Sequence, residues 1–328
     1  SEEEKAKIEN EIKVKIDEIY SNLDGWKKTL LARHEFRPKA EFYISTIFNN
    51  FQQLSGDRNF GDDKSVITGF ATINKKSVLV IGQEKGNDTE SRITRNFGMM
   101  KPEGYRKCIR LMRLAENYNI PVVTLIDTPG AFPGKGAEER GQAEAIAQSI
   151  NCCLDLKVPI ISVVIGEGGS GGAIALATSN KVLMLEHAIY SVISPEGCAS
   201  ILWKDATKSK DAAYAMHLTA QDLYKNQIID QIIEEPKGGA HRNPELMAKV
   251  IKEKIYESIN FFEMQSSSEI INDRKDKFKN IGQNLQTDIV SFESIRDVGF
   301  KKGFIKNKNK ILAILGLSIL LLFLFFTF

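Results

Sequence analysis

The spacing of the apolar positions changes several times along the chain, and each spacing predicts a kind of element. Isoleucines recur every three or four residues between Ile8 and Ile19, which predicts an amphipathic helix at the start of the chain. Pro38 breaks this pattern, and apolar residues at 42–54 predict a second helix that ends near residue 56. We therefore expect residues 1–55 to form an N-terminal helical region.

From residue 66 onward, short apolar strands alternate with helices. Helices are predicted at 103–119, 136–156, 196–204, 210–217, 219–226 and 243–264, and a short one after residue 172. Strands are predicted at 66–73, 77–81, 122–126, 159–165, 181–185, 188–193 and 228–233. Such alternation is typical of α/β proteins. The sequence therefore predicts an α/β body over residues 56–264.

The pattern ends after residue 264. Residues 265–310 are polar and largely unpatterned, which predicts a tether. Residues 311–328 carry no charge, and as a helix they would be about 27 Å long, enough to cross a bilayer core. Five lysines between 301 and 310 precede them and favour a cytoplasmic position. We predict a C-terminal apolar helix that anchors the chain to the inner face of a membrane; the alternative is a helix that packs in an oligomer.

The composition narrows the class of protein only slightly. A formal net charge of +2 gives no electrostatic reason to expect a nucleic-acid partner. The four cysteines form no CxxC pair, so free thiols in a reducing compartment are expected rather than disulfides or a metal site. The chain opens on charged residues without the pattern of a signal peptide, which predicts a cytoplasmic protein.

The stretch with the clearest chemical meaning is IGEGGSGGA at residues 165–173. Five glycines within residues 166–172 follow an apolar run that predicts a buried strand, and they precede a small-residue helix. Glycines cost backbone entropy on folding, but they let the backbone approach another group closely. The N–H groups of a helix start then point outward. The stretch predicts a site for an anion or an oxyanion.

Three functions compete for this stretch. Gly166, Gly168 and Gly171 fit a dinucleotide fingerprint, with Glu186 twenty residues beyond, although residues 173–180 are few for the crossover helix. A nucleoside triphosphatase is excluded, because the LIDTPG run at 125–130 has no upstream phosphate loop. The third function is an oxyanion site formed by two backbone N–H groups.

The oxyanion interpretation draws support from a second loop. Loops 130–136 and 166–172 follow consecutive predicted strands, so they would lie side by side if those strands are parallel neighbours. The crevice at the carboxyl ends of such strands is where α/β proteins usually bind ligands.

Five separated runs give the chain a wider resemblance. They are NFGMMKPEGYRK (96–107), IDTPGAFPGKGAEERGQ (126–142), IGEGGSGGA (165–173), YSVISPEGCASILW (190–203) and GGAHRNPE (238–245). In this order they resemble the alpha subunit of the carboxyltransferase of bacterial and plastid acetyl-CoA carboxylase, over residues 8–282. That family usually ends near Ile281, so the remaining C-terminal residues depart from it.

The resemblance implies a fold, a reaction and partners. The implied fold is a crotonase-like (ClpP/crotonase) spiral of ββα turns. The implied reaction transfers the carboxyl group from carboxybiotin on the biotin carboxyl carrier protein to acetyl-CoA and yields malonyl-CoA for fatty-acid synthesis. The implied partners are a beta subunit with its own zinc, in an α₂β₂ assembly, and a separate biotin carboxylase that uses ATP. This chain itself would bind no metal and no covalent cofactor.

The resemblance also implies a set of site residues. The N–H groups of Gly171 and Gly172 would form the oxyanion hole for the ureido oxygen of biotin, and no side-chain base would be required. The residues expected on the carboxybiotin side are Gly168, Gly169, Ala131, Phe132, Gly134 and Gly136.

Other polar residues stay open to two interpretations. Arg92, Arg95 and Arg106 would guide an anionic carboxyl group or hold acyl-CoA phosphates, or else form a solvated basic face. The four histidines are scattered and are expected to be structural. Two other functions remain as alternatives, a nicotinamide-linked oxidoreductase and a membrane-tethered scaffold that binds a beta subunit without catalysis.

Overall fold

A computed structural model of the chain describes residues 2–282. The predicted apolar helix at 311–328 and most of the predicted tether lie outside these residues. Among the helices of residues 2–282, none is both long enough and apolar enough to cross a membrane.

Thirteen α-helices are present within residues 2–282. Helices predicted at 103–119, 196–204 and 243–264 are confirmed, and each has Pro in its first turn, where the missing N–H costs no hydrogen bond. The helices are α1 Glu2–Ser21, α2 Gly25–Ala32, α3 Ala40–Ile47, α4 Thr89–Thr94, α5 Pro102–Asn117, α6 Lys135–Glu139, α7 Gln142–Asp155, α8 Ser170–Ala177, α9 Pro195–Leu202, α10 Ser209–Ala215, α11 Ala220–Lys225, α12 Pro244–Phe262 and α13 Ser267–Asn280.

In the described part of the chain, eight strands form one mixed sheet. They are β1 Asn49–Gln53, β2 Val66–Ile73, β3 Lys76–Gln83, β4 Val122–Thr128, β5 Ile160–Gly169, β6 Lys181–Leu185, β7 Ile189–Ser191 and β8 Gln231–Ile233. Their order is β1-β2-β3-β4-β5-β6-β8, and β7 pairs with β5. The pairs β1–β2 and β2–β3 are antiparallel, whereas the other pairs are parallel.

Strands β4 and β5 form the centre of the sheet. Every residue of both strands is buried, as expected of near-continuous apolar runs in a parallel sheet covered by helices. Helices α5, α7 and α8 pack together, and α3 packs against α12. Strands β4 and β5 are parallel neighbours, which meets the condition for the two loops to lie side by side, so the loops that follow these strands leave the same edge of the sheet.

Two sequence-based expectations were wrong. The second N-terminal helix ends at Ile47, and residues 49–53 instead form β1, which pairs with β2 and joins this region to the sheet. The predicted tether does not begin at residue 265, because α13 occupies 267–280. A capping box between Ser266 and Glu269 starts α13, and Ile270 and Arg274 are buried one turn apart. The described chain up to Ile281 is one compact unit.

Candidate active site

The chain passes from β5 directly into α8 at the glycine-rich stretch. Gly166, Gly168 and Gly169 belong to the buried strand rather than to a loop. Ser170 has a left-handed φ of 53°, which turns the chain sharply into the helix. Gly171 and Gly172 are the second and third residues of α8, so their N–H groups are among the four that precede the intrahelical ladder.

No side chain caps the start of α8, as far as residues 2–282 show. Backbone N–H groups at a helix start carry the positive end of the helix dipole and can bind an anion. Gly171 is partly exposed, whereas Gly172 is buried. Gln83, which is buried, donates from Nε2 to the carbonyl oxygen of Gly172 at 2.8 Å and fixes this turn against the end of β3.

The loop after β4 lies directly against this turn, as the sequence predicted. A Cβ placed on Gly172 would lie 2.6 Å from the carbonyl carbon of Gly130 and 2.9 Å from the nitrogen of Ala131. A Cβ on Gly169 would lie 2.2 Å from the carbonyl oxygen of Pro129. Only glycine permits this close packing of the two backbones.

The structure distinguishes the glycines of the predicted pair. A Cβ on Gly171 would meet only the side chain of Ile146, at 3.5 and 3.7 Å, which is ordinary van der Waals contact. The packing at position 172 therefore requires a glycine, whereas the packing at position 171 leaves room for a Cβ atom. Gly168 lies against Tyr190, where a Cβ would approach the ring to 2.8 Å.

The remaining predicted residues lie in the loop after β4 and in α6. Phe132 folds over Gly134, since a Cβ on Gly134 would lie 2.3 Å from its ring. The ring is partly exposed, and the ammonium of Lys101 lies 5.1 Å from its centroid. Gln142 donates to the carbonyl oxygen of Phe132 at 3.0 Å and holds the loop. Gly136 lies inside α6, where a Cβ would meet only Arg140.

A largely buried polar cluster that no sequence pattern predicted lies at the same edge of the sheet. Lys85 Nζ is 2.8 Å from Asp127 Oδ1 and 3.0 Å from Glu167 Oε2. Arg33 Nη2 is 2.6 Å from Glu167 Oε1, and its Nη1 is 2.8 Å from Glu196 Oε1. Burial alone would raise the pKa of Glu167, but Lys85 and Arg33 hold it below the ordinary value.

The basic residues that the sequence singled out separate into two groups. Arg95 pairs with Glu41 at 3.1 Å, and Arg106 donates to the carbonyl oxygen of Arg140. Arg92 lines a cavity of about 250 Å³ beside the buried cluster, together with Lys39. Of the three arginines, only Arg92 is thus placed to meet a ligand near this edge.

The histidines form no acid–base pair with a nucleophile in the described chain. His34 and His241 stack with ring centroids 4.0 Å apart. His187 is buried, and burial lowers its pKa. Across residues 2–282, no three His, Cys, Asp or Glu side chains come together as a metal site would require.

A family model described as acetyl co-enzyme A carboxylase carboxyltransferase-like matches residues 1–282. The chain belongs to this family. A relative from Pelagibacter ubique is 56% identical over 98% of this chain and 89% of its own length. One from Paracoccus denitrificans is 53% identical over 86% of this chain and 88% of its own length. Both are named acetyl-coenzyme A carboxylase carboxyl transferase subunit alpha.

The Pelagibacter alignment covers 98% of the chain, so it extends well past residue 282. At least one relative therefore aligns with residues of this chain beyond 282, where the family was expected usually to end.

Solved structures show the same fold. A transcarboxylase 12S structure superposes with a TM-score of 0.57 at 18% identity, covering 70% of this chain and 44% of that chain. A Pseudomonas malonate decarboxylase hetero-tetramer gives 0.58 at 12% identity, covering 76% of this chain and 99% of that chain. These likenesses confirm a crotonase-like carboxyltransferase fold.

Proposed function

We propose that this chain is the alpha subunit of the acetyl-CoA carboxylase carboxyltransferase. In this role it transfers the carboxyl group from carboxybiotin on the carrier protein to acetyl-CoA, which gives malonyl-CoA for fatty-acid synthesis. The family membership gives the reaction. The observation in the structure that supports it most is the uncapped start of α8, closely packed against the loop after β4.

The residues of the chain would act by binding and by electrostatic stabilisation. The N–H groups of Gly171 and Gly172 would donate to the ureido oxygen of the biotin substrate, where negative charge develops as the carboxyl group leaves. The dipole of α8 adds to this stabilisation. The biotin anion can itself take the proton from the acetyl methyl group, so the mechanism asks for no side-chain base in this chain.

The same mechanism assigns a role to the loop after β4. The backbone of this loop lies against Gly172, and the ring of Phe132 in the loop is partly exposed. We assign Ala131, Phe132 and Gly134 to the wall of the carboxybiotin side, with Gly168 and Gly169 shaping the strand end. Gly136 belongs to the same proposal, although its position inside α6 gives it the least support.

The chain would hold only half of the active site. A carboxyltransferase beta subunit with its own zinc would supply the acetyl-CoA side in an α₂β₂ assembly, and biotin carboxylase would use ATP to load the carrier. Exposed apolar side chains support a subunit contact, because large ones cluster around α9 and α10. They are Val192, Ile201, Leu202 and Tyr214, each at least 68% exposed. We further propose a cytoplasmic location; membrane contact through 311–328 stays a prediction from the sequence.

The structure weakens the nicotinamide alternative. In the dinucleotide fingerprint the glycines form a turn that receives the pyrophosphate. Here Gly166 and Gly168 lie within β5, where Cβ atoms would lie 2.5 Å from Asp127 and 2.8 Å from Tyr190. These positions are filled by the protein's own side chains.

Co-expression with a carboxyltransferase beta subunit tests the proposal. The purified pair is assayed for decarboxylation of malonyl-CoA in the presence of free biotin. We expect activity in the pair and none in either subunit alone. A stable pair without turnover would indicate the scaffold alternative, and binding of NAD(P) by this chain would indicate the oxidoreductase.

A further inference from the structure

Strand β5 changes its neighbour shortly before the glycine pair. Residues 161–164 pair with β6, whereas residues 167–169 pair with β7. Between these two segments, the register with β4 also shifts: Ile126 lies opposite Val164, but Thr128 lies opposite Gly168. Asp127 alone therefore faces the three residues 165–167, and β5 bulges there. A bulge leaves backbone groups outside the ladder.

Charged side chains take the place of the missing ladder bonds. The N–H of Glu167 donates to Asp127 Oδ1 at 2.9 Å. The carbonyl oxygen of Ile165 accepts from Arg37 Nε at 2.8 Å. Gly166 between them has no room for a side chain, since a Cβ would lie 2.5 Å from Asp127 Oδ1. Side chains thus set the shape of the bulge.

Lys85 connects this bulge to two further strand ends. It lies two residues beyond β3, and its ammonium contacts the carboxylates of Asp127 in β4 and Glu167 in β5. Asp127 is buried and Lys85 is half-buried, with side chains 6% and 16% exposed. Burying charges costs free energy of folding unless they are fully paired. A contribution to stability alone therefore does not explain why this charged cluster is present.

We propose that Asp127 and Lys85 are positioning residues for carboxyl transfer. They fix the bulge at 165–167 and thereby the direction of the N–H groups of Gly171 and Gly172, four and five residues beyond Glu167. The intervening Gly168 and Gly169 are packed tightly on Tyr190 and Pro129, so a displacement of the bulge is passed on to the start of α8. This inference rests on the proposed function.

The test uses the assembled complex with the beta subunit and compares three variants. Lys85→Met removes the shared cation, and Asp127→Ser shortens the acceptor so that it no longer reaches the N–H of Glu167. Asp127→Asn keeps an oxygen at the Oδ1 position that accepts from both Glu167 and Lys85. Arg274→Met is the matched control, because Arg274 is a buried cation that donates to the carbonyl oxygen of Val158, just before the opposite end of β5.

We expect Lys85→Met and Asp127→Ser to lower kcat about 100-fold, the size of loss that a 1 Å misplacement of reacting groups can cause. KM values should stay near those of the wild type, because the groups that contact substrate are all present. Asp127→Asn should restore most of kcat. Arg274→Met should lower the thermal midpoint but leave kcat per assembled complex unchanged.

Two outcomes would overturn the inference. If Lys85→Met and Asp127→Ser resemble Arg274→Met, losing stability but retaining kcat, the cluster is structural. If Asp127→Asn is as inactive as Asp127→Ser, the acceptor at Oδ1 is not what matters. An inactive wild-type complex would overturn the proposed function together with this inference, whereas an active wild type with active variants overturns this inference alone.

Discussion

Near each end of β5, backbone carbonyl oxygens that lie outside the sheet ladder accept hydrogen bonds from a buried arginine, but the surroundings of the two arginines differ. At the amino end, β5 follows a straight register with both β4 and β6. There Arg274 of α13, fully buried, donates to the carbonyl oxygens of Cys153, Leu156 and Val158. At the carboxyl end, where the strand bulges, Arg37 donates to the carbonyl oxygen of Ile165. Each arginine satisfies carbonyls outside the ladder.

The arginines differ in how their charge is neutralised. Arg37 forms two hydrogen bonds to Glu235, at 2.6 and 2.9 Å, and this charge raises the pKa of Arg37 against the effect of burial. Arg274 has no carboxylate within 4.0 Å in the described part of the chain, and burial lowers its pKa to about 10. The arginine at the amino end thus donates to uncharged oxygens, whereas the arginine at the carboxyl end belongs to a charged pair. We call the pair of Arg37 and Glu235 the charged frame. Paired charges fix a geometry that carbonyls alone would leave adjustable.

Arg37→Met should have the largest effect on stability. Removing one partner of a buried pair leaves the other charge uncompensated, here Glu235 with no exposed side-chain area, and typically costs about 3–5 kcal/mol. Urea unfolding of the purified full chain measures this loss. A cost below about 1 kcal/mol, typical of exposed pairs, would contradict the description of this end as a charged frame.

Gly172→Ala should remove most of the activity, whereas Gly171→Ala should remove little. The added methyl group at 172 meets backbone at 2.6 Å and must move the turn or the loop after β4. The resulting loss of an oxyanion donor should lower kcat by about 10²–10³-fold. The methyl group at 171 meets only Ile146 at ordinary distance.

Both glycine variants are measured as the complex with the beta subunit in the malonyl-CoA decarboxylation assay. Equal losses at the two positions would show that the close approach to Gly130 does not set the site. An inactive Gly171→Ala with an active Gly172→Ala would reverse the assignment.

The periodic elements were predictable because each is encoded locally. The continuous apolar runs located β4 and β5, and helices were predicted over most of α9 and α12. Segments 49–53 and 267–280 were missed for opposite reasons. The strand at 49–53 is mostly exposed and depends on pairing with β2, whereas α13 is polar and depends on burying Ile270 and Arg274. Tertiary contacts decide both, and periodicity does not report them.

The candidate site was predictable only in its backbone part. The glycines at 166–172 are adjacent in sequence, so their meaning could be deduced from one stretch. The charged cluster brings together Arg33, Lys85 and Glu167 from three distant segments. No spacing rule connects such residues. The one signal was the carboxylate of Asp127 at the end of a buried strand.

Arg274→Met should have a moderate effect confined to stability. It removes the donor to the carbonyl oxygens of Cys153, Leu156 and Val158, and because water that enters the site can bond to these carbonyls, we expect a net loss of about 1–3 kcal/mol in total. The expected result is a lower thermal midpoint and earlier proteolysis within α13. A fall in kcat equal to that of Lys85→Met would mean that the two ends of β5 are not functionally distinct.

Glu235→Gln should change how stability depends on pH. Burial alone would raise the pKa of Glu235, but Arg37 holds it below the ordinary value of 4.5. The unfolded chain therefore binds a proton at a higher pH than the folded chain does. The stability that this carboxylate contributes is present above about pH 4.5 and is lost as the pH falls through the folded pKa.

The wild type should thus lose up to about 1.4 kcal/mol per pH unit more steeply than Glu235→Gln in this acid range. Unfolding free energies from urea titrations at several pH values below 5 measure the two slopes. Arg274→Gln is the control, since Arg274 stays charged throughout this range and its removal should leave the slope unchanged. Parallel curves for the wild type and Glu235→Gln would show that folding does not lower the pKa of Glu235, and the pair with Arg37 would then not distinguish the carboxyl end of β5 from the amino end.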